Sequence, residues 1–316
     1  MFSAVRVDGT SEHPSRTDSS VSDILKMKTV LVTGVNSYIG NAFIEYMKQF
    51  PADYSVEGIS VRNNAWKTID FSKYDCIFDV AGIAHADTGH VTEDIKQRYY
   101  KVNTDLTIAL AKKAKESGVK QFIFVSSAIV YGNSAPIGQT KIITKDTVPA
   151  PADFYGDSKW QAEKGIIPLG DERFRIVILR PPMIYGKNSK GNYPTLSKLA
   201  QKLPVFPRIK NCRSMLYIGN LVEFVRLMIQ NDESGLFFPQ NSEYSNTSDL
   251  VRSIAESHGR KIILVDGTAW AVKLLSHATG LVNKAFGSLA YDMAMSEYKE
   301  NYRLYSLAES IRLTEE

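Results

Sequence analysis

The sequence predicts an α/β protein: a doubly wound parallel sheet followed by a smaller mixed α/β lobe towards the C-terminus. Three observations predict it. Short apolar runs alternate with helical periods from Lys28 onward, the runs are apolar on both faces, and the first ends in a glycine turn that opens a helix. Strands apolar on both faces need a helical layer on each side of the sheet.

The elements follow in order. "KTVLVTG" from Lys28 is a strand, and "IGNAFIEYMKQF" behind it has helical period. "YSVEGISV" is a second strand and "YDCIFDVAG" a third, buried one. "NTDLTIALAKKAKESG" is an amphipathic helix stopped by Gly118, "QFIFVSS" a further strand, "SKWQAEKGII" helix, and "FRIVILRPP" strand again. Beyond Tyr185 the rhythm changes: "GKNSKGNYPTLSKLAQKLPVFPRIKNCRS" is rich in Gly, Pro and cations with one short helix. "NLVEFVRLMIQND" and "SDLVRSIAESHG" then read as helices separated by short strand-like pieces. The division expected is a leader over 1–26, a dinucleotide-binding domain over 27–184 to which some later segments return, and a substrate-binding lobe with C-terminal helices over 185–316. Ligands of such sheets sit at the carboxyl ends of the strands, so a cleft between the lobes is expected.

Composition narrows the partners. The 316 residues are 44% hydrophobic and 23% charged, as in an ordinary soluble protein, with a net charge of +4 and no basic block to suggest nucleic acid. Cys76 and Cys212 are too few for a disulfide framework or metal cage and read as free thiols in a reducing, cytoplasmic compartment. No run offers the roughly 20 apolar residues of a membrane span. "WAVKLLSHATGLVNKAF" is interrupted by Lys273, Ser276, His277 and Lys284 and reads as an amphipathic helix. Residues 1–26, rich in Ser, Thr and charge, read as a disordered leader, with Met27 a candidate start.

Three motifs carry chemistry. In "TGVNSYIG" a glycine turn opens the first helix, where backbone N–H groups can hold a pyrophosphate as in a Rossmann-type sheet; Ser37 stands where a second glycine is usual, and a plain strand-to-helix turn is the other reading of this motif alone. Ser127, in "VSSAIVYG", lies at the carboxyl end of a middle strand. Tyr155 and Lys159 are four apart and share a helix face. An ammonium there is expected to lower the phenol below its reference of about 10 and make it a general acid/base. Taken alone, such a pair is also what any surface helix can carry.

The order changes the reading. With "TGVNSYIG", "SSAIVYG", "YGDSK" and "RPPMIYG" in sequence, the chain from about Lys28 to Leu221 resembles the extended short-chain dehydrogenase/reductases. Within them it resembles the NAD-dependent epimerase/dehydratase family, in its nucleotide-sugar, UDP-hexose 4-epimerase-like branch. The resemblance implies that Tyr155 is the acid/base, that Lys159 also bonds the nicotinamide ribose, and that Ser127 bonds the reacting sugar oxygen. It implies a pyrophosphate lined by Gly34, Ser37, Tyr38, Ile39 and Gly40, adenine contacts at Asp70 and Phe71, and dinucleotide contacts at Ala81, Gly82, Asn103 and Pro182. Met183, Val205, Phe206 and Arg213 would meet the substrate, Arg213 at its diphosphate. A homodimer through "NTDLTIALAKKAK" and "SKWQAEKGII" is implied too.

Three departures qualify it. The acidic pair of sugar 4,6-dehydratases is here Ala128 and Ile129, so no carboxyl group can eliminate water and that activity is rejected. The second strand ends in Ser60 and Arg62 rather than an acid, which suits a 2′-phosphate and makes NADP as well as NAD an expected cofactor. Met183 stands where many 4-epimerases carry asparagine. The expected function is C4 epimerisation of a UDP-hexose (UDP-glucose/UDP-galactose or an N-acetyl form). The alternatives are an NADPH-dependent 4-ketoreductase of a nucleotide-linked hexose in polysaccharide biosynthesis, and a non-catalytic dinucleotide-binding protein.

Overall fold

The computed structural model describes residues 27–84, 91–278, 282 and 285–316. The expected leader, and the end of the amphipathic segment at 279–281 and 283–284, lie outside the described residues.

The first half runs β1 (Lys28–Thr33), α1 (Tyr38–Met47), β2 (Tyr54–Ile59), β3 (Cys76–Asp79), α2 (Glu93–Tyr99), α3 (Leu106–Glu116), β4 (Gln121–Val125), β5 (Ile142–Ile143), α4 (Phe154–Ile166) and β6 (Arg175–Leu179). There follow β7 (Met183–Tyr185), α5 (Asn192–Lys202), β8 (Val205–Pro207), β9 (Met215–Tyr217), α6 (Ile218–Gln230), β10 (Gly235–Phe237), α7 (Thr247–Ser257), β11 (Ile263–Val265), α8 (Ala269–Ala278), β12 (Ala290–Tyr291) and α9 (Leu307–Glu315).

Six strands form one parallel sheet in the order β10-β6-β4-β3-β1-β2. The two-residue period of a strand splits its side chains between two cores. Val30, Val32, Phe78, Ile123, Val125, Val177 and Leu179 face α1 and α6, where Phe43, Leu221, Phe224 and Val225 pack on them. Leu31, Ile77, Phe122, Phe124, Ile176 and Ile178 face α3 and α4, against Leu110, Ala111, Ala114, Ala162 and Ile166. Both faces are therefore covered, and α6 and β10 pack with the first-half elements. A third core gathers Tyr185, Tyr193, Leu196, Phe206, Met215, Leu250, Val251 and Ile254 from the second half, with the small pairs β7·β9 and β8·β11.

The helix expected over 103–118 is longer in the structure. Thr92 caps α2 through its side chain, Glu93 and Asp94 favour the positive end, and a π-helical stretch over Tyr100–Asp105 joins α2 to α3. Among the described residues no helix is long and apolar enough to cross a membrane. In α8, Trp270 and Leu274 face solvent while Val272 joins the third core.

Candidate active site

The chain leaves β1 for β2 on one side, while β3 lies on the other, so a crevice opens beyond the carboxyl ends of β1 and β3. The glycine turn fills its floor. Gly34 has φ +94°, and a Cβ there would lie 2.9 Å from the backbone nitrogen of Ala81. A Cβ on Gly40 would lie 2.8 Å from the Ser37 hydroxyl and 3.1 Å from the carbonyl of Gly34. Ser37 caps α1, its hydroxyl accepting the N–H of Gly40 at 3.0 Å. With bare backbone, a helix N-terminus and no acidic side chain in the first turn of α1, this cradle fits the diphosphate of a dinucleotide.

The other expected cofactor residues differ in what they can offer. Tyr38 points away from the helix: a Cβ on Gly186 would lie 2.5 Å from its hydroxyl, and among the described residues that hydroxyl has no hydrogen-bond partner. Burial holds the phenol above its usual range. Ile39, half-buried, packs against the first core, whereas Phe71 is fully buried in the second, so Phe71 offers a ligand its main chain alone. Asp70 accepts the N–H and hydroxyl of Ser72 at 3.0 and 2.7 Å, and these bonds hold its carboxyl below the ordinary value. Ser60 and Arg62 are exposed beyond β2, the Arg62 N–H 3.5 Å from the Ser60 hydroxyl.

Asn103 lies in the π-helical stretch and is fully buried. It accepts the N–H of Ile83 at 2.8 Å and donates to the Ile83 carbonyl and the Ser158 hydroxyl, each at 3.0 Å. It therefore fastens the Ala81–Gly82 turn to α4. The turn is close: a Cβ on Gly82 would lie 3.2 Å from both the Asn103 side-chain oxygen and the Lys159 ammonium.

Asp153 begins α4, its carboxylate accepting the N–H of Gly156 at 2.7 Å, so Tyr155 falls in the first turn and Lys159 one turn on. The Ser127 hydroxyl lies close enough to the Tyr155 phenol to favour its ionised form, and it caps the short turn Ala128–Tyr131, accepting from the Ile129 N–H at 3.3 Å. The structure thus brings Ser127, Tyr155 and Lys159 to one place beside the crevice.

The expected electrostatics are overturned. Burial pushes the Tyr155 phenol up to about 12, the nearby Ser127 hydroxyl opposing it. The Lys159 ammonium does not act on it: it donates to the Val125 carbonyl at 2.9 Å and sits 4.6 Å from the centre of the Phe124 ring. Burial also brings Lys159 down to about 8, against the opposing fields of Asp79 and Glu163. Sequence spacing places two groups on one helix face, but burial and the direction of the ammonium decide the pKa.

Of the expected substrate residues, Met183 and Arg213 line a small cavity of about 40 Å³ with Ala128, Pro182 and Tyr291. The Arg213 guanidinium donates to the carbonyls of Ala285 and Gly287 at 3.2 Å. Val205 is exposed, whereas Phe206 is buried in the third core, stacked at a tilt on Phe286. Its strand alternates, and it is Val205 that faces out.

Sequence reasoning missed a buried network beneath the site. Glu163, one turn beyond Lys159, is fully buried and receives Arg180 through Nε at 3.0 Å and Nη2 at 2.5 Å, together with the Ser126 hydroxyl. Arg180 also donates to the Tyr131 phenol at 2.5 Å and lies against the rings of Tyr131 and Trp160. An acid four residues after the lysine and an arginine closing an apolar strand were the available signals.

Known proteins place this geometry. A UDP-glucose 4-epimerase of Vibrio cholerae is 29% identical over 298 residues, covering 84% of this chain and 88% of that protein. An N-acetyl-α-D-glucosaminyl-diphospho-ditrans,octacis-undecaprenol 4-epimerase of Escherichia coli O157:H7 is 26% identical over 252 residues, 74% of this chain and 73% of that one. The structure of UDP-glucuronic acid 4-epimerase from Bacillus cereus with NAD superposes with a TM-score of 0.68 at 17% identity, covering 90% of this chain and 96% of that one. A dTDP-4-dehydrorhamnose reductase from Clostridium acetobutylicum superposes with a TM-score of 0.66 at 16% identity over 90% and 98%. The NAD dependent epimerase/dehydratase profile matches residues 30–237, from β1 to the last strand of the sheet. The chain belongs to the NAD dependent epimerase/dehydratase family, whose cofactor is NAD or NADP.

Proposed function

We propose that the protein is a nucleotide-sugar epimerase acting at C4 of a UDP-linked hexose. The observation that carries the reading is the meeting of Ser127 and Tyr155 beside the glycine cradle, with Lys159 one helical turn behind. The dinucleotide, when bound, supplies a hydride acceptor and donor. Ser127 and Tyr155 then bind the sugar 4-hydroxyl, and Tyr155 takes and returns its proton. With its pKa pushed up to about 12 the free phenol holds its own proton, so Tyr155 takes the proton of the 4-hydroxyl only after giving its own to solvent; once ionised it is a strong base for that hydroxyl. Positioned proton transfer of this kind contributes roughly two to four powers of ten in rate. Gly34 and Gly40 with the start of α1 hold the diphosphate of the cofactor, and Arg213 and Met183 border the sugar nucleotide.

One observation favours a second reading, an NADPH-dependent 4-ketoreductase. No acid stands at the end of β2, where Ser60 and Arg62 are both exposed, and Met183 lines the small cavity beside Arg213. In that case only the reducing half runs and Tyr155 delivers a proton to the C4 oxygen. A dimer through α3 and α4 belongs to both readings and is checked by sedimentation.

The test is to offer UDP-glucose, UDP-galactose, their N-acetyl forms and a UDP-4-keto-6-deoxyhexose, with and without NADPH. Interconversion without net cofactor use supports the epimerase. NADPH consumed one for one with product removes it in favour of the reductase. Turnover that survives Tyr155→Phe overturns both.

A further inference from the structure

Exposed apolar side chains concentrate on one part of the second lobe. Among the described residues, the most exposed large apolar side chains are Val148 at 76%, Trp270 at 73%, Leu274 at 68% and Ile263 at 66%. Three of these four stand between the start of β11 and the middle of α8.

The strand register accounts for Ile263. It lies opposite Val205, and Val265 lies opposite Pro207, whereas Leu264 and Phe206 between them enter the third core. By the two-residue period of a strand, Val205, Pro207, Ile263 and Val265 therefore share the outer face of the pair, where Val205 and Val265 are exposed too. The helix α8 follows after 266–268 and divides in the same way: Val272 joins the third core, while Trp270 and Leu274, one turn apart, face water with Lys273 beside them. Packing within the lobe satisfies one side of these elements and leaves apolar atoms on the other.

The charge around them has one sign. Lys202, Arg208, Lys210, Arg260, Lys261 and Lys273 are exposed over 202–210 and 256–274, against the acids Glu256 and Asp266. Asp266 is already paired with Arg208 at 3.3 Å. These two short stretches hold a net charge of +4, as much as the whole chain. Scattered single apolar residues need no partner, but a cluster set among cations, with a tryptophan at its centre, has the chemistry of an anionic bilayer surface. Tryptophan and leucine enter the headgroup boundary there, and cations meet the lipid phosphates.

We propose that β8, β11 and α8 seat the protein on an anionic lipid surface, with Ile263, Trp270 and Leu274 entering it and Arg260, Lys261 and Lys273 facing its phosphates. The contact is peripheral, since no helix among the described residues can cross a bilayer.

The test mixes the full chain with vesicles of phosphatidylcholine, with or without phosphatidylglycerol, and reads bound protein by flotation. Binding is expected to the anionic vesicles, falling at least about tenfold when phosphatidylglycerol is omitted or salt is raised. Tryptophan fluorescence should shift to the blue on binding, and the shift should vanish in Trp270→Phe. Trp270→Ser with Leu274→Ser, and separately Arg260→Glu with Lys261→Glu, should each cut binding at least about tenfold. Val148→Ser, equally exposed but elsewhere, should leave it unchanged. All these side chains are exposed, so each variant should keep the fold, which circular dichroism checks. Equal binding to neutral and anionic vesicles, binding that survives both double variants, or no binding at all overturns the proposal. Where no vesicle binds and the Trp270→Ser, Leu274→Ser variant dissociates a dimer, the face belongs to a second copy of the chain instead. None of these outcomes depends on turnover, so the proposed function can fail without them.

Discussion

Glu163→Gln is expected to destabilise the protein strongly although it conserves volume. Glu163 and Arg180 are 0% and 4% exposed at the side chain, and the carboxylate receives two guanidinium nitrogens and the Ser126 hydroxyl. The amide offers one oxygen and turns an N–H₂ towards donors, leaving Arg180 charged, buried and without a counter-ion. Breaking a buried pair from one side costs about 3–5 kcal/mol. A chain of this size loses roughly 2 °C of Tm per kcal/mol, so the fall should be about 6–10 °C. Denaturant titration and thermal scanning, read by circular dichroism, measure it. The double variant Glu163→Met with Arg180→Met should be less destabilised than Glu163→Gln, since it removes both charges together. A Glu163→Gln loss below about 1 kcal/mol would refute the reasoning, because the pair would then be solvated rather than buried.

Lys159 gives a pH signature. Its folded pKa near 8 lies below the unfolded 10.5, so the folded state sheds its proton first and stability should rise with pH between 8 and 10. Relative to Lys159→Met, the wild type should gain up to about 1.4 kcal/mol per unit across that window, measured by urea unfolding at several pH values; a flat difference refutes it. Tyr155 acts in the opposite sense higher up, its folded pKa of about 12 above the usual 10, so Tyr155→Phe should lessen the stability lost between pH 10 and 12. Gly34→Ala forces a Cβ to within 2.9 Å of the Ala81 nitrogen at φ +94° and should cost about 1–3 kcal/mol and abolish NAD(P) binding by calorimetry. Arg62→Ser should weaken NADP binding at least about tenfold while leaving NAD unchanged, as expected of an arginine meeting a 2′-phosphate; equal effects on both would show that Arg62 does not read it.

Much of the fold was legible because its signals are local. β1, β3, β4 and β6 are apolar on both faces, and a run such as "QFIFV" has nowhere to lie except inside a covered sheet. Glycine at 34 was readable for the same reason: a turn that tight, set against β3, admits nothing larger. The helix α2 was not, since its sequence is polar and buries only Tyr99; its evidence was the Thr92 cap with Glu93 and Asp94 behind it. In the site, Tyr155, Lys159 and Ser127 were visible as a spacing, but their pKa values were not. Spacing gives a helix face, whereas the pKa values of the phenol and the ammonium both depend on how deeply the groups are packed. Asp79, Glu163 and Arg180 act through contacts made between elements distant in the chain, and one sequence carries no record of which acid will meet which base.

The most direct measurement incubates UDP-hexose deuterated at C4 with the protein and NAD(P) in ordinary water and reads the label in the interconverted sugar by mass spectrometry. The account predicts interconversion with the deuterium kept at C4, because the hydride returns to the carbon it left, and no interconversion with Tyr155→Phe. Product whose C4 deuterium has been replaced by solvent hydrogen would contradict it, because C4 would then lose a proton rather than a hydride.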